Sequence, residues 1–238
     1  MRKVDVHAHI LPGVDDGSSG MEETLAILAA AYEQEFRTII ATPHYIQGSR
    51  HKDKEELQEI LEKVKYAAKD RFPDLLLYLG QEVHYFEGIT EALDRGEALT
   101  MADSRYVLVE FSYTTPWNVI DRGIRKILNS GYRPIAAHVE RYQALYEEGR
   151  LDELADMGCL IQMNYTSLKG NVLNSRTRWC RKQLQQGRVH LLGTDCHNMK
   201  SRKPDTEETM NWMKKKCSPE VIFDTTRRNA EKILGQKM

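Results

Sequence analysis

The residues of this chain that could do chemistry recur in short, separated groups. His7-Ala8-His9 stands near the start, followed by Thr42-Pro43-His44, Gln81-Glu82, Glu110, His138 and Asp195-Cys196-His197. Side chains two apart on an extended segment leave the backbone on one face. His7 with His9, and Asp195 with His197, can therefore each share one ion. A mixed imidazole–carboxylate set suits Mn, Fe or Zn and gives no support to a soft-metal site. The run Leu11-Pro12-Gly13-Val14-Asp15-Asp16-Gly17 adds two aspartates on a Gly-bounded turn able to fold over the others. Read alone, that turn is equally an ordinary Asx turn.

These groups need elements that carry them to one place. Short β-rich runs span Lys3–Ile10, Thr38–Thr42, Leu75–Gly80, Tyr106–Phe111, Pro134–His138, Cys159–Asn164 and Val189–Thr194. Most are continuous apolar stretches, as expected of strands buried on both faces of a parallel sheet. Amphipathic helices are predicted over Met21–Phe36, Asp53–Arg71, Asn118–Asn129, Leu151–Met157, Ser175–Gln186, Asp205–Lys215 and Pro219–Leu234. Ser218 before Pro219 is an N-cap followed by a first-turn proline. Seven strands, each followed by a helix or loop, predict a (β/α) barrel, with a doubly wound open sheet as the alternative. Barrel chemistry sits at the C-terminal strand ends. Imidazole or carboxylate occurs at six of those seven ends. No linker, repeat or low-complexity tract interrupts the chain, which reads as one domain over residues 1–238.

Composition narrows the class further. The 34 Lys and Arg against 35 Asp and Glu give a net charge of -1, which argues against broad nucleic-acid binding. Hydrophobic residues at 41% and charged residues at 29% are normal for a globular chain. No apolar run is long enough for a membrane span, and the N-terminus lacks a signal-peptide core. Cys159, Cys180, Cys196 and Cys217 form neither a CxxC pair nor a disulfide framework. Reduced thiols in a cytoplasm are expected.

Taken in order and spacing, HAHILPGVDDG, ATPHY, GQEVH, LVEF, AHVERY and TDCHN resemble the polymerase-and-histidinol-phosphatase (PHP) superfamily. They look most like its bacterial CpsB/YwqE-type tyrosine-protein phosphatases. The resemblance spans the chain from His7 to Arg202 and into the last helix, and it implies a distorted (β/α)7 TIM-like PHP barrel. It also implies three divalent metal ions, Mn first, with Fe, Zn or Mg as alternatives. By similarity His7, His9, Glu82 and Asp195 bind one ion, and Glu82 bridges to a second held with Glu110 and His138. Asp16, His44 and His197 take the third; Asp16 is chosen over Asp15 because the family's aspartate directly precedes the Gly. Arg141 and Arg202 map to the family's phosphate-gripping arginines. Four carboxylates against three divalent ions leave a cage of about +2, so a neutral chain can hold an anion-seeking pocket. The implied reaction is attack of metal-activated water on phosphotyrosine. The implied partner is a bacterial tyrosine kinase controlling capsule or exopolysaccharide synthesis.

Competing readings rest on particular residues. Cys196 and Arg202 form C-x5-R, the spacing of cysteine-dependent tyrosine phosphatases, but His197–Ser201 contains no Gly for a phosphate loop. A metal amidohydrolase also uses HxH, yet no Lys ends a middle strand here. Histidinol-phosphate or general phosphoester hydrolysis is the nearer alternative, and a non-catalytic metal-binding module the one from another class. His51 is expected to face solvent, His84 and His190 to pack or support, and Lys214–Lys216 to be a solvated face. Tyr113, Trp117 and Tyr142 follow strand ends, where they either flank an aromatic phosphoester or pack.

Overall fold

Every predicted strand run forms a strand, and all of them pair in parallel. The computed structural model describes residues 2–171 and 173–235. The strands are β1 (Lys3–Ala8), β2 (Phe36–Ala41), β3 (His44–Tyr45), β4 (Leu76–Leu79), β5 (Glu82–His84), β6 (Tyr106–Glu110), β7 (Arg133–Ala136), β8 (Leu160–Asn164) and β9 (Leu191–Gly193). One sheet runs β1-β2-β4 and the other β3-β5-β6-β7-β8-β9. β3 follows β2 across Thr42-Pro43, and β5 follows β4 across Gly80-Gln81. Pro43 has no N–H to give the ladder, which breaks the strand there. Backbone bonds from Gly80 N to Ala41 O (2.8 Å) and from Glu82 N to Pro43 O (3.1 Å) carry the pairing over the gap. The far edges meet where Ala8 bridges Cys196, Asp195 N donates to His7 O (2.8 Å) and His9 N to Cys196 O (2.9 Å). Seven strand positions thus curl into a distorted TIM-like barrel.

The helices are α1 (Met21–Glu33), α2 (Lys54–Ala68), α3 (Ile89–Asp94), α4 (Trp117–Asn129), α5 (Arg150–Asp156), α6 (Ser175–Gln185), α7 (Glu207–Lys216), α8 (Pro219–Phe223) and α9 (Asn229–Leu234). Their apolar stripes, including Ile27 and Leu28 of α1 and Ile120, Ile124 and Ile127 of α4, join the outer faces of the strands in the main core. Asp53 caps α2 in a full capping box with Glu56. Three differences from expectation stand out. The first helix stops at Glu33, because Glu35 turns left-handed (φ 68°) and Phe36 opens β2. A short α3 falls in a stretch too brief to show a helical period. The last helix is divided by a π-helical turn over Asp224–Arg228, where Thr225 and Thr226 hydroxyls donate to Val221 and Ile222 carbonyls. Ser218 caps α8 ahead of Pro219, as expected.

A second apolar cluster fills the barrel interior. Val4, Val6, Ile40, Leu108, Ile135 and Leu191 from the strands meet Ala230, Ile233 and Leu234 of α9. The C-terminal helix therefore plugs the end of the barrel where strands begin.

Candidate metal centre

Backbone irregularities, rather than simple alternation, aim the polar side chains inward. Strict alternation along β1 would put Val4 and Val6 on the face opposite His7 and His9. Between Asp5 and Ala8, however, β1 carries an extra residue relative to β2. Such a bulge re-aims side chains, so valines fill the interior below while both imidazoles face it above. His138 (φ 29°) and Asp195 (φ 52°) each sit in the left-handed region at a strand end. That conformation is rare and costly for residues with a Cβ, and it concentrates at functional sites. Two glycines supply the room this needs. A Cβ on Gly17 would lie 2.3 Å from His9 O, and one on Gly193 2.7 Å from His7 Cβ.

The expected ligands converge in one pocket. His7 Nε2 and His9 Nε2 are 3.2 Å apart, and they lie 3.1 and 3.2 Å from Glu82 Oε2. Both are 3.6 Å from Asp195 Oδ1. On the far side of Glu82, its Oε1 is 2.7 Å from His138 Nε2, which is 3.2 Å from Glu110 Oε1. His44 Nε2 and His197 Nε2 are each 3.4 Å from Asp16 Oδ1. His44 Nδ1 also lies 3.1 Å from Glu82 Oε2, without hydrogen-bond alignment. Among the described residues, three groups have ligand atoms within 4.8 Å of one another and could each hold an ion: His7, His9 and Asp195; His9, Asp16, His44 and His197; and His44, Glu82 and Glu110. His9 and His44 thus stand between sets the sequence divides. His7, His9, Glu82, His138, Asp195 and His197 are buried, whereas Asp16 is 63% exposed at the rim.

Charge is balanced in a way that fits divalent cations. Burial opposes a charged His9 ring, but the Asp15 and Glu82 carboxylates outweigh it and raise its pKa to about 10. His138 is raised to about 9 against burial, by Glu82 and Glu110. Burial alone would raise the Glu82 and Asp195 carboxyls, yet His7 and His138 hold Glu82 down, and His7 and Arg141 do so for Asp195. Burial, the His9 ring and Arg202 lower His197 to about 4, which keeps that imidazole neutral and able to ligate. Buried carboxylates need cationic partners, a part the imidazoles and Arg141 take here and divalent ions could take in their place. The buried His44 Nδ1, His138 Nδ1 and His197 Nε2 make no hydrogen bond among the described residues. Cations bound by these groups would displace the protons now shared between them.

Arg141 and Arg202 meet at the edge of the cluster. Arg141 Nη2 is 2.5 Å from Asp195 Oδ2, and Arg202 Nη2 is 2.8 Å from Asp195 Oδ1. Arg202 Nη1 reaches Asp16 Oδ2 at 3.6 Å. Both guanidiniums are partly exposed.

Several supporting residues lie outside the expected ligand set. The strand end without imidazole or carboxylate, that of β8, contributes two amides. Gln162 Oε1 accepts from His138 N (2.7 Å), lies 3.2 Å from His7 Nδ1, and its Nε2 donates to Asn164. Asn164 Nδ2 donates to Asp195 Oδ2 at 2.8 Å. Asp15 accepts from His44 N (3.0 Å) and contacts His9 Nδ1 (2.8 Å), so it orients imidazoles beside Asp16. Asp5 accepts from Thr194 N and Oγ1 and from His7 N, pinning β1 to β9. Only the DDG turn hinted at one of these, through the presence of a second aspartate.

The remaining candidates separate clearly. Cys196 is 2% exposed, packs in the main core, and burial pushes its thiol well above the usual range. A thiolate nucleophile needs the opposite, so C-x5-R is a coincidence of spacing. Tyr142 is buried, and its hydroxyl accepts from Phe111 N, which makes it a core residue. Trp117 is covered by Arg150, 4.7 Å from its ring, and Tyr113 is 54% exposed. His190 Nδ1 accepts from Ile161 N, a packing role. His84 Nε2 contacts Ser112 Oγ, and His51 lies against the Tyr45 ring with centroids 4.6 Å apart.

Comparison with known proteins identifies the family. The family profile described as capsular polysaccharide synthesis, CpsB/CapC, matches residues 3–235. This chain belongs to the CpsB/CapC family. It is 35% identical to the tyrosine-protein phosphatase CpsB of Streptococcus pneumoniae, over 99% of each chain. It is 28% identical to the tyrosine-protein phosphatase YwqE of Bacillus subtilis, over 97% of this chain and 91% of that one. Among solved structures it superposes with TM-score 0.87 and 26% identity on one described under YwqE from Bacillus subtilis and CpsB from Streptococcus pneumoniae, metal-dependent tyrosine phosphatases. That match covers 97% of this chain and 94% of the other.

Proposed function

We propose that this chain is a metal-dependent protein-tyrosine phosphatase. Its substrate is phosphotyrosine on a protein, namely a bacterial tyrosine kinase of capsule or exopolysaccharide synthesis. The observation that carries this reading is the meeting of Arg141 and Arg202 on Asp195, which groups with His7 and His9. The CpsB/CapC relatives named tyrosine-protein phosphatases support it. Among the described residues no helix is long and apolar enough to cross a membrane. We place the reaction in the cytoplasm, where a kinase meets ATP.

Three divalent ions, Mn first, would be held by His7, His9, Glu82 and Asp195; by Glu82, Glu110 and His138; and by Asp16, His44 and His197. When bound they supply Lewis acidity and a water whose pKa falls toward about 7. The chain's own groups do the rest. Glu82 presents an oxygen to each side and fixes the spacing between two ligand sets. Gln162 and Asp15 lock the His7 and His9 rings from behind, as supporting partners do at metal sites. Arg141 and Arg202 would turn from Asp195 to the phosphoryl oxygens, gripping them with charge-assisted bonds as negative charge builds. A tyrosyl phenol, with a pKa of about 10, leaves with less proton assistance than an alkyl alcohol.

Metal analysis of the purified protein, with hydrolysis of phosphotyrosine peptide, phosphoserine peptide and histidinol phosphate, tests the reading. Bound divalent metal and a strong preference for phosphotyrosine are expected. Equal rates on all three would leave a general phosphoesterase, and metal binding without turnover would leave a non-catalytic module.

A further inference from the structure

A cleft of about 350 Å³ opens directly beside the metal centre, within the usual size range of ligand pockets. Its floor is shared with the site, since Asp16 and His44 line both. Val14 from the DDG turn and Ile46 from the segment after β3 form apolar walls, and Ile46 is 43% exposed. Arg50 and Lys52 stand on the same segment.

That segment is built in place. Ser49 N donates to Ile46 O at 3.1 Å, closing a turn, and His51 Nδ1 lies 2.9 Å from Ser49 O. The His51 ring packs on buried Tyr45, tying the segment to β3. The cleft's carboxylates are already engaged. Asp15 is directed to His9 and the His44 backbone, and Asp16 to His44 and His197. Lys52 pairs with Glu56 at 3.6 Å. Arg50 makes no ion pair or hydrogen bond among the described residues, so it carries the cleft's uncommitted charge.

We propose that this cleft is the specificity subsite of the phosphatase: Ile46 and Val14 hold the phosphotyrosyl ring, and Arg50 pairs with an acidic residue flanking that tyrosine. The proposal rests on the phosphotyrosine reading above and adds to it a substrate preference for acidic sequence. Its physical basis is depth and charge. His7, His9 and Glu82 are buried, so phosphorus must be delivered at the end of a long side chain, and a tyrosyl ring reaches several ångströms further than a seryl methylene. A ring passing through the cleft leaves its peptide backbone at the mouth, beside Arg50.

Two phosphotyrosine peptides, identical except for Glu or Gln on either side of the tyrosine, test this on the metal-loaded protein. The wild type should show a kcat/KM for the Glu peptide about fivefold above that for the Gln peptide, the strength of a partly exposed ion pair. Arg50→Glu should bring that ratio to one or below, chiefly through KM, whereas Lys215→Glu on exposed α7 should retain it. Ile46→Ala should raise KM for both peptides about fivefold at similar kcat, from lost contact with the ring. A wild-type ratio of one, an unchanged ratio in Arg50→Glu, an equal collapse in Lys215→Glu, or an unmoved KM in Ile46→Ala overturns the proposal while leaving phosphatase activity standing. Hydrolysis of neither peptide by wild type would instead remove the phosphotyrosine reading itself.

Discussion

At the lower end of the barrel, Val4, Leu108, Ile135 and Leu191 close on Ile233 and Ala230 of α9 in an apolar cluster. A few residues further along the same strands, His7, Glu110, His138 and Asp195 face one another in a pocket of imidazoles and carboxylates. The lower end gains stability from removing apolar surface from water. The upper end spends it, on buried charge and on two residues held at positive φ. One set of strands supports both because the β1 bulge and the left-handed turn at His138 change which side chains face inward partway up. Stability and chemistry are thus separated by a few residues of strand, with the plug holding the scaffold that the site strains.

That division can be broken from either end. Removing divalent ions with chelator should abolish turnover while far-UV circular dichroism at 25 °C stays native; loss of the barrel signal would show that the upper end also holds the fold. Thermal stability should fall with the ions, because they bind only the native arrangement. Ile233→Ala should cost about 2–5 kcal/mol in denaturant unfolding while kcat of the folded fraction changes less than twofold. A large fall in kcat would couple the two ends. Arg141→Ala should lower kcat by about 10²–10³-fold, the usual loss for a donor to developing charge, with metal content unchanged. Full activity in that variant would remove the clamp. Gln162→Leu should weaken metal affinity by about 10–100-fold, seen in a metal titration, since it frees the His7 ring and unpairs His138 N. Smallest of all, Cys196→Ser should keep activity within twofold, as a buried thiol outside the chemistry requires.

Much of this molecule is legible in residue order. The seven apolar runs became strands because continuous Val, Ile and Leu stretches of that length have few alternatives in a parallel sheet. Eight of the nine candidate ligands are visible because imidazoles and carboxylates at strand ends are chemically distinctive; Asp16 is chosen over Asp15 only through the family resemblance. Gln162, Asn164 and Asp15 were not visible in the same way. An amide at the end of β8 looks like any polar strand end until β1 arrives beside it, 155 positions away in sequence. The C-x5-R spacing misleads for the converse reason. Spacing does not report burial, and packing turned Cys196 into the core while its neighbours turned into the pocket.

Residue type and spacing alone point to a parallel α/β sheet with imidazoles and carboxylates at its strand ends, and the family resemblance adds the barrel and the two arginines. Only the folded chain decides how the ligands group, since His9 and His44 each lie between sets that sequence divides. Only the folded chain brings Arg50 and Ile46 beside Asp16, forming the cleft. The physical reason is range. Strand-forming tendency and metal affinity belong to the residue and its near neighbours. Bulges, left-handed turns and contacts between distant strands arise when the barrel closes and each backbone group must find a partner.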